Sequence, residues 1–213
     1  HTFGETYKGK SVGWYGDASC FSFHATKVFN SIEGGAVCFK DKLLGEALYE
    51  LKNFGIRGLE EVRAVGANAK MNEFCAAMGL CNLRHIKEEI EKRKKVVEHY
   101  RNCLADVIGL RLNVLQENVT SNYAYFPVLF EEKEFGASRE EVYKALAQNG
   151  IMARKYFYPL TNTFPCFHGQ FDITKTPVAL HISKRILTLP LYADLKLEDV
   201  DRICKIILSC PQG

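Results

Sequence analysis

Short apolar runs separated by glycine and polar segments dominate the first part of the sequence. The runs at residues 20–23 and 35–40 are bounded by glycine or polar residues, a pattern typical of buried strands. Asp41 then precedes leucines at helical spacing, which predicts a helix capped by Asp41 and continuing to about Asn53. Lys27 therefore falls in a loop between two buried strands, with its ammonium group close to the core.

A second helical pattern begins near residue 72. Asn72 is the predicted N-cap, and Met71, Phe74, Cys75 and Met78 form the stripe of an amphipathic helix. Farther along, apolar positions continue at helical spacing beside a face of interleaved acids and bases. We interpret this segment as a long, solvated helix that connects two domains.

From about residue 95 the pattern becomes strand, helix, strand, helix, strand, helix, which is typical of a small α/β domain. The predicted strands cover residues 123–130, 151–157 and 186–189. The predicted helices begin at a Ser138-x-x-Glu141 capping box, at Pro177 and just before Val200. The predicted domains are therefore residues 1–94, including the connecting helix, and residues 95–213.

The composition of the chain argues against some classes of function. The 213 residues are 47% hydrophobic and 25% charged, as in ordinary globular proteins. A net charge of +3 is too small to indicate nucleic acid or a membrane surface. No apolar run approaches the roughly 20 residues of a membrane span, and no signal peptide is evident. We expect a cytoplasmic protein.

Eight cysteines raise the question of disulfides or metal. None forms a C-x-x-C pair, and several occupy apolar positions where free cysteine behaves as a small hydrophobe. His85, His168 and His181 are isolated in the sequence. We therefore expect reduced, structural cysteines and no metal site.

Lys27 is the first candidate for chemistry. An unperturbed lysine has a pKa near 10.4, and lowering it to about 7 takes roughly 4–5 kcal/mol of differential stabilisation. Desolvation or imine formation provides such stabilisation, whereas a solvated loop lysine is the ordinary alternative. Ser22, five residues earlier, offers a hydroxyl for a phosphate. The Gly34-Gly35 pair permits close approach of the backbone to a ligand.

The run from Ser22 to Gly35 resembles the hallmark of the DegT/DnrJ/EryC1/StrS family of sugar aminotransferases: serine, phenylalanine and histidine, then lysine, then Glu-Gly-Gly. The resemblance implies an α/β protein with the type I aminotransferase fold, here the C-terminal part of the large domain plus a small C-terminal α/β domain. It implies that Lys27 is the catalytic residue, bound to the cofactor pyridoxal 5'-phosphate as a Schiff base. Ser22 would contact the cofactor phosphate, and His24 the substrate. Related dehydratases carry histidine in place of the lysine, so transamination is favoured.

A second resemblance covers residues 66–72. A Gly-x-Asn-x-basic-Met run before a helix is also a family hallmark, and it implies that Asn68 reaches across a dimer interface to the cofactor phosphate of the other subunit. The resemblance therefore also implies a homodimer with shared active sites. Lys70 stands where many members have arginine and is a candidate substrate-binding residue. Spacing alone favours a surface loop that ends in a helix cap.

The third candidate site contains Arg154 and Tyr156. Arginine and tyrosine close to a proline suit a phosphorylated sugar, through ion pairing and ring stacking. The alternative is a strand end whose amphipathic side chains reach solvent. In the family this region lines the sugar-nucleotide pocket, with Tyr156 at a position where many members place histidine. The run resembles the branch that makes 4-amino-4,6-dideoxy sugars on a thymidine diphosphate carrier.

The resulting prediction is an aminotransferase that converts a nucleotide-linked keto sugar, dTDP-4-keto-6-deoxyhexose, with glutamate as donor, for surface polysaccharide or O-antigen biosynthesis. The alternative is a non-catalytic pyridoxal-phosphate-binding member with a regulatory or assembly role. Residues 1–4 resemble the interior of the large domain. The phosphate-anchoring loop and the aspartate that holds the pyridine nitrogen are therefore expected to lie in a preceding half. We expect negligible turnover from this polypeptide alone.

Overall fold

The computed structural model describes residues 1–210 and shows two compact units. The first comprises His1–Ile90 and Gln116–Ala124, and the second comprises Glu91–Leu115 and the chain from Tyr125 onward. The segment from Gln116 to Ala124 thus belongs to the first unit, a return of the chain that the sequence pattern does not indicate. For the complete protein, the domain boundary at residue 94 stays a prediction.

The strands and helices alternate irregularly along the chain. The strands are β1 (Thr6–Tyr7), β2 (Lys10–Ser11), β3 (Ala18–Ser22), β4 (Gly35–Phe39), β5 (Leu110–Leu112), β6 (Val119–Thr120), β7 (Phe126–Phe130) and β8 (Ile186–Leu189). The helices are α1 (Lys42–Lys52), α2 (Glu73–Leu83), α3 (Ile86–Leu104), α4 (Glu132–Phe135), α5 (Arg139–Gln148), α6 (Pro177–Ser183) and α7 (Leu197–Leu208). No helix within residues 1–210 combines the length and apolar character that crossing a membrane requires.

The first unit contains two small antiparallel sheets. Strands β3 and β4 pair with Ser22 opposite Gly35, and β1 pairs on either side with β2 and β6. Both strands predicted around Lys27 are therefore present. The expectation that they are buried is wrong, because the two strands form a sheet of their own and their side chains are half-buried or exposed.

The helix caps of the first unit are the predicted ones. The Asp41 carboxylate accepts from the N–H of Leu43, and the Asn72 side chain accepts from the N–H of Cys75 at 2.9 Å. The predicted amphipathic stripe is wrong in part, since Cys75 is buried whereas Phe74 is 88% exposed. The apolar residues of α2 are distributed over all of its faces, so the sequence does not distinguish a face that will be buried.

The second unit is built on an antiparallel sheet in the order β5-β7-β8. The Tyr100 ring stacks on Phe126 at a centroid distance of 4.7 Å, and its hydroxyl donates to the carbonyl of Pro190 at 3.0 Å. Burial raises the pKa of the Tyr100 phenol. Leu104 and Leu187 are fully buried in the same unit and enlarge its core.

The predicted capping box is present: the Ser138 hydroxyl accepts from the N–H of Glu141, whose carboxylate accepts from the N–H of Ser138. The strand predicted at 151–157 is wrong. Arg154 alone forms a bridge, with Thr188, through two backbone hydrogen bonds of 2.7 and 3.0 Å. Because the backbone groups of Thr188 face Arg154, its neighbour Pro127 in β7 occupies a non-hydrogen-bonded pair, where a missing N–H costs nothing.

Candidate functional site

The loop between β3 and β4 carries Lys27 and is fixed at its base by aromatic packing. Phe3 stacks on Phe29 at 4.3 Å, and Phe23 meets both rings edge-on, at 5.6 and 4.8 Å. The N–H of Phe23 donates to the carbonyl of Gly34 at 2.8 Å, and the N–H of Ser31 to the carbonyl of Phe23 at 2.9 Å. The loop is therefore closed by its own backbone and supported by three rings.

The Gly34-Gly35 pair makes room for the protein's own atoms. A Cβ on Gly35 would lie 2.6 Å from the carbonyl oxygen of Phe21 on the paired strand, and one on Gly34 would lie 2.5 Å from Cε of Met71. Gly34 also has a φ of +148°. Close packing against the backbone of β3 requires Gly35, and the positive φ favours glycine at position 34. Both glycines also line the cavity described below, so the approach of a ligand stays a prediction.

Lys27 is half-buried, and its Nζ lies 2.9 Å from Nε2 of His1. Its backbone N–H donates to the carbonyl of His24 at 2.9 Å. His1 is itself fixed, because the side chain of the fully buried Asn122 donates to its carbonyl at 2.6 Å. The amine is thus held against an imidazole, a partner that the sequence reasoning missed because His1 lies outside any motif.

Ser22 ends β3 and His24 lies on the loop that carries Lys27, and both are exposed. The Nδ1 of His24 accepts from the N–H of Thr26 at 3.2 Å, which leaves the proton of a neutral ring on Nε2. That nitrogen faces the carboxylate of Glu33 at 3.6 Å. Hydrogen bonding therefore fixes both the tautomer and the orientation of the imidazole.

Asn68 and Lys70 lie together beside the C-terminal end of α1, and both are exposed. Asn68 forms a backbone bridge with Asn53, and Nζ of Lys70 donates to Oδ1 of Asn53 at 2.8 Å. The Lys70 ammonium also lies over the Phe54 ring, 4.4 Å from its centroid. The second motif is thus anchored to the turn that follows α1.

A mainly apolar cavity of about 880 Å³ opens between the β3–β4 sheet, α1 and the start of α2. Its wall includes Lys70 and Glu33 but, among the described residues, not Lys27, Ser22 or Asn68. Within the first unit, Asn68 and Lys70 share Asn53 as a partner, whereas Ser22 and Lys27 are joined only through the strand end and the loop that follows it.

Arg154 and Tyr156 form a cluster in the second unit. The Arg154 guanidinium donates to the Tyr156 hydroxyl and lies 5.2 Å from the centroid of that ring. Tyr125 meets the Tyr156 ring edge-on at 5.8 Å, and burial raises the pKa of the Tyr125 phenol, with Tyr156 adding to the effect. Sequence reasoning assigned Tyr125 to a strand and so missed it as a member of this cluster.

The sequence model of the DegT/DnrJ/EryC1/StrS aminotransferase family matches residues 1–208. The chain belongs to this family. It is 38% identical over 214 aligned positions to the dTDP-4-amino-4,6-dideoxy-D-glucose transaminase of Escherichia coli, and 35% identical over 207 to that of Shigella dysenteriae. These alignments cover 98% and 97% of the chain but 57% and 56% of the relatives. The chain thus spans a little over half the length of these curated relatives.

Solved structures of family members show the same fold. A putative sugar aminotransferase of Streptococcus pneumoniae in its PLP-form matches with a TM-score of 0.89 at 28% identity, over 99% of this chain and 56% of that one. DesI, solved in the presence of its TDP-sugar product, matches with a TM-score of 0.89 at 33% identity, over 98% and 53%. The predicted fold class, the α/β type I aminotransferase fold, is confirmed.

Proposed function

We propose that this chain supplies the lysine-bearing part of a pyridoxal-phosphate-dependent nucleotide-sugar aminotransferase. The observation that carries the proposal is the half-buried amine of Lys27, held 2.9 Å from an imidazole on a loop closed by β3 and β4. Family membership supports the reaction class. The names of the E. coli and S. dysenteriae relatives and the TDP-sugar product of DesI favour a dTDP-4-keto-6-deoxyhexose as substrate. Glutamate is the proposed donor, and surface polysaccharide or O-antigen biosynthesis the proposed purpose.

The residues present suit pyridoxal phosphate. When bound, the cofactor supplies an electron sink for the substrate carbon. Lys27 offers a primary amine that contacts His1, and the backbone N–H of Lys27 is fixed by the His24 carbonyl. Ser22, opposite Gly35 at the end of β3, is the proposed hydroxyl partner of the phosphate, and Asn68 is the proposed contact to the phosphate of a second subunit.

The Lys27–His1 contact also orients the amine. An ammonium donates a hydrogen bond to a neutral ring nitrogen, and Nε2 of His1 lies 2.9 Å from Nζ of Lys27. A neutral amine is required to accept a proton from a substrate carbon. We propose Lys27 as that general base and acid, with His1 as its hydrogen-bond partner.

Four side chains are proposed to bind substrate. His24 and Lys70 present an imidazole and an ammonium in the first unit, and Arg154 with Tyr156 presents a guanidinium and a phenol in the second. A guanidinium pairs with phosphate oxygens, and a phenol stacks on or hydrogen-bonds a sugar. These are the groups that a nucleoside diphosphate sugar requires.

A cytoplasmic homodimer with shared active sites is the proposed assembly. Phe74 and Leu80 on α2 are 88% and 64% exposed, and Leu59 and Val65 are almost fully exposed. Exposed apolar area of this kind marks an interaction surface. We propose that the rest of the complete protein and a second subunit cover these apolar residues. Because both would also contribute to the active site, we expect negligible turnover from this polypeptide alone.

The alternative is a non-catalytic, cofactor-binding regulatory or assembly protein. The lysine at position 27 argues against it, because binding alone does not require a Schiff-base lysine. A protein that only binds the cofactor needs no transferable proton on Lys27. It would therefore bind pyridoxal phosphate without any exchange of the amino group between glutamate and the cofactor.

The test is borohydride reduction of the complete protein loaded with pyridoxal phosphate, followed by peptide mass spectrometry. We expect a pyridoxyl group on Lys27, its loss in Lys27→Arg and its retention in the control Lys40→Arg. Label on another lysine, or none, would contradict the proposed site. Label on Lys27 without glutamate-dependent conversion of the cofactor would support the non-catalytic alternative.

A further inference from the structure

Three potential metal ligands from two helices converge in the second unit, outside the proposed cofactor site. Nε2 of His99 lies 2.6 Å from Oδ1 of Asp201, and Sγ of Cys103 lies 3.9 Å from the same oxygen. All three ligand atoms lie within 4.8 Å of one another. Within residues 1–210, no other group of three such side chains comes together in this way.

Helical geometry explains the convergence. His99 and Cys103 are four positions apart on α3, so their side chains lie one above the other on the same face. Asp201 belongs to the first turns of α7, between the buried residues Val200 and Ile203. The ligands therefore project from two helices that the core holds in place, which is the support a metal site requires.

The separations are close to those of a tetrahedral zinc site. Zinc–ligand bonds of about 2.0–2.3 Å place neighbouring ligand atoms roughly 3.3–3.8 Å apart. The observed distances of 2.6 and 3.9 Å lie on either side of that range, and all three ligand atoms lie within 4.8 Å of one another, so shifts of about 1 Å at side-chain ends would admit the ion. The existing hydrogen bond between His99 and Asp201 already brings the two groups together.

We propose that His99, Cys103 and Asp201 bind a zinc ion, with water as the fourth ligand. Imidazole, thiolate and carboxylate together are a zinc donor set, and the sulfur disfavours Mg²⁺ and Ca²⁺. The Cys103 thiol releases its proton to solvent as the Zn–S bond forms, and Nε2 of His99 gives up the proton it shares with Asp201, the neutral ring keeping its proton on Nδ1. The side chains of His99 and Asp201 are 28% and 61% exposed, which leaves solvent and metal access to the cluster.

The bound ion would clamp α7 to α3. Two ligands come from the last turns of α3 and one from α7, so the metal would join elements that lie about a hundred positions apart in sequence. Binding to the folded state alone stabilises it by mass action. The site is thus proposed to be structural, and it is independent of the proposed aminotransferase chemistry.

The test is zinc titration of the reduced, chelator-treated complete protein, with Cys103→Ser and His99→Gln as variants and Cys166→Ser as the control. Cys166 is an exposed cysteine of the same unit outside the cluster. We expect the wild-type protein to bind one zinc per chain. In the two variants the Kd for zinc should rise by at least the roughly 10–100-fold seen when a supporting partner of a metal ligand is lost. The control should keep the wild-type Kd, and Mg²⁺ should not compete.

Two further measurements on the wild-type protein avoid any dependence on how the variants fold. Co²⁺ should produce thiolate-to-metal charge-transfer absorption in the near ultraviolet, and zinc should protect Cys103 but not Cys166 from iodoacetamide. A Cys103→Ser protein with the wild-type Kd would overturn the proposal. Equal alkylation of Cys103 with and without zinc, or less than one zinc per chain at saturation, would do so as well.

Discussion

The side-chain amide of Asn122 donates a 2.6 Å hydrogen bond to the backbone carbonyl of His1, across 121 positions of sequence. The same amide nitrogen donates to the carbonyl of Phe3 at 2.9 Å, and its oxygen accepts from the N–H of Ala124 at 3.1 Å. Asn122 is fully buried. It therefore fixes the residue whose imidazole contacts the Lys27 amine, which makes it a positioning residue for the proposed site.

Replacing Asn122 with alanine should lower the free energy of unfolding by roughly 2–3 kcal/mol, because buried partners lose their hydrogen bonds. Urea denaturation of Asn122→Ala against wild type measures the loss. Glu117→Ala, at an exposed position of the same segment, is the control and should stay within about 0.5 kcal/mol. Equal midpoints for both variants would show that Asn122 does not anchor His1.

Gly35→Ala should destabilise the β3–β4 sheet by roughly 1–3 kcal/mol, because the new Cβ would lie 2.6 Å from the Phe21 carbonyl oxygen. The backbone at Phe21 cannot move away from the new Cβ as the end of a flexible side chain could. Gly58→Ala is the matched control, since nothing lies within 4 Å of its Cβ position. Thermal denaturation compares the two variants, and a Gly35→Ala protein as stable as the control would contradict the packing argument.

The Glu140 carboxylate should contribute to stability at neutral pH but not in acid. It accepts from Nζ of Lys155 at 2.6 Å, and this bond, aided by Arg139, lowers the pKa of Glu140 below its ordinary value of 4.5. A lowered folded-state pKa stabilises the fold above the unfolded pKa, and the contribution is lost as pH falls through the folded value.

Glu140→Gln should therefore be less stable than wild type at pH 7, and the difference should disappear below the folded-state pKa of Glu140. Urea midpoints measured from pH 7 downward check this. Glu132→Gln removes one exposed carboxylate from the same unit and is the control. A difference that persists unchanged in acid would exclude an ionic origin.

Tyr156→Phe should raise the KM for the nucleotide sugar by roughly tenfold in the complete enzyme and leave kcat within about twofold. The reason is that the phenol hydroxyl hydrogen-bonds the Arg154 guanidinium, and bonds to charged groups contribute about 1.5–3 kcal/mol. Steady-state kinetics measure the effect, with Tyr143→Phe as the control. An unchanged KM would remove Tyr156 from the proposed sugar-nucleotide site.

Several local elements could be predicted because short-range chemistry specifies them. The Asp41 and Asn72 caps, the Ser138–Glu141 capping box and the strand at residues 186–189 all follow from neighbouring residues. The strand predicted at residues 151–157 failed for a tertiary reason. Within residues 151–157 only Arg154 pairs with β8, at Thr188, so a β-like sequence remains outside the sheet.

Two features of the proposed sites needed the tertiary structure. The return of residues 116–124 to the first unit brings Asn122 to His1, and no motif marks either residue. The His99–Cys103–Asp201 cluster depends on the packing of α7 against α3. Asp201 lies 98 positions from Cys103 and 102 from His99. Sequence spacing cannot show such pairs, because contacts over that distance are set by packing.

The sequence by itself determined the family, the fold class and Lys27 as the candidate catalytic residue, because motif identity and hydrophobic periodicity are local properties of the chain. Only the tertiary structure decided what surrounds that lysine. It also decided that Gly35 accommodates the backbone of the paired strand and that Tyr125 joins Arg154 and Tyr156. The physical reason is that partners, burial and close approach arise when distant segments pack together, and a linear pattern does not contain those distances.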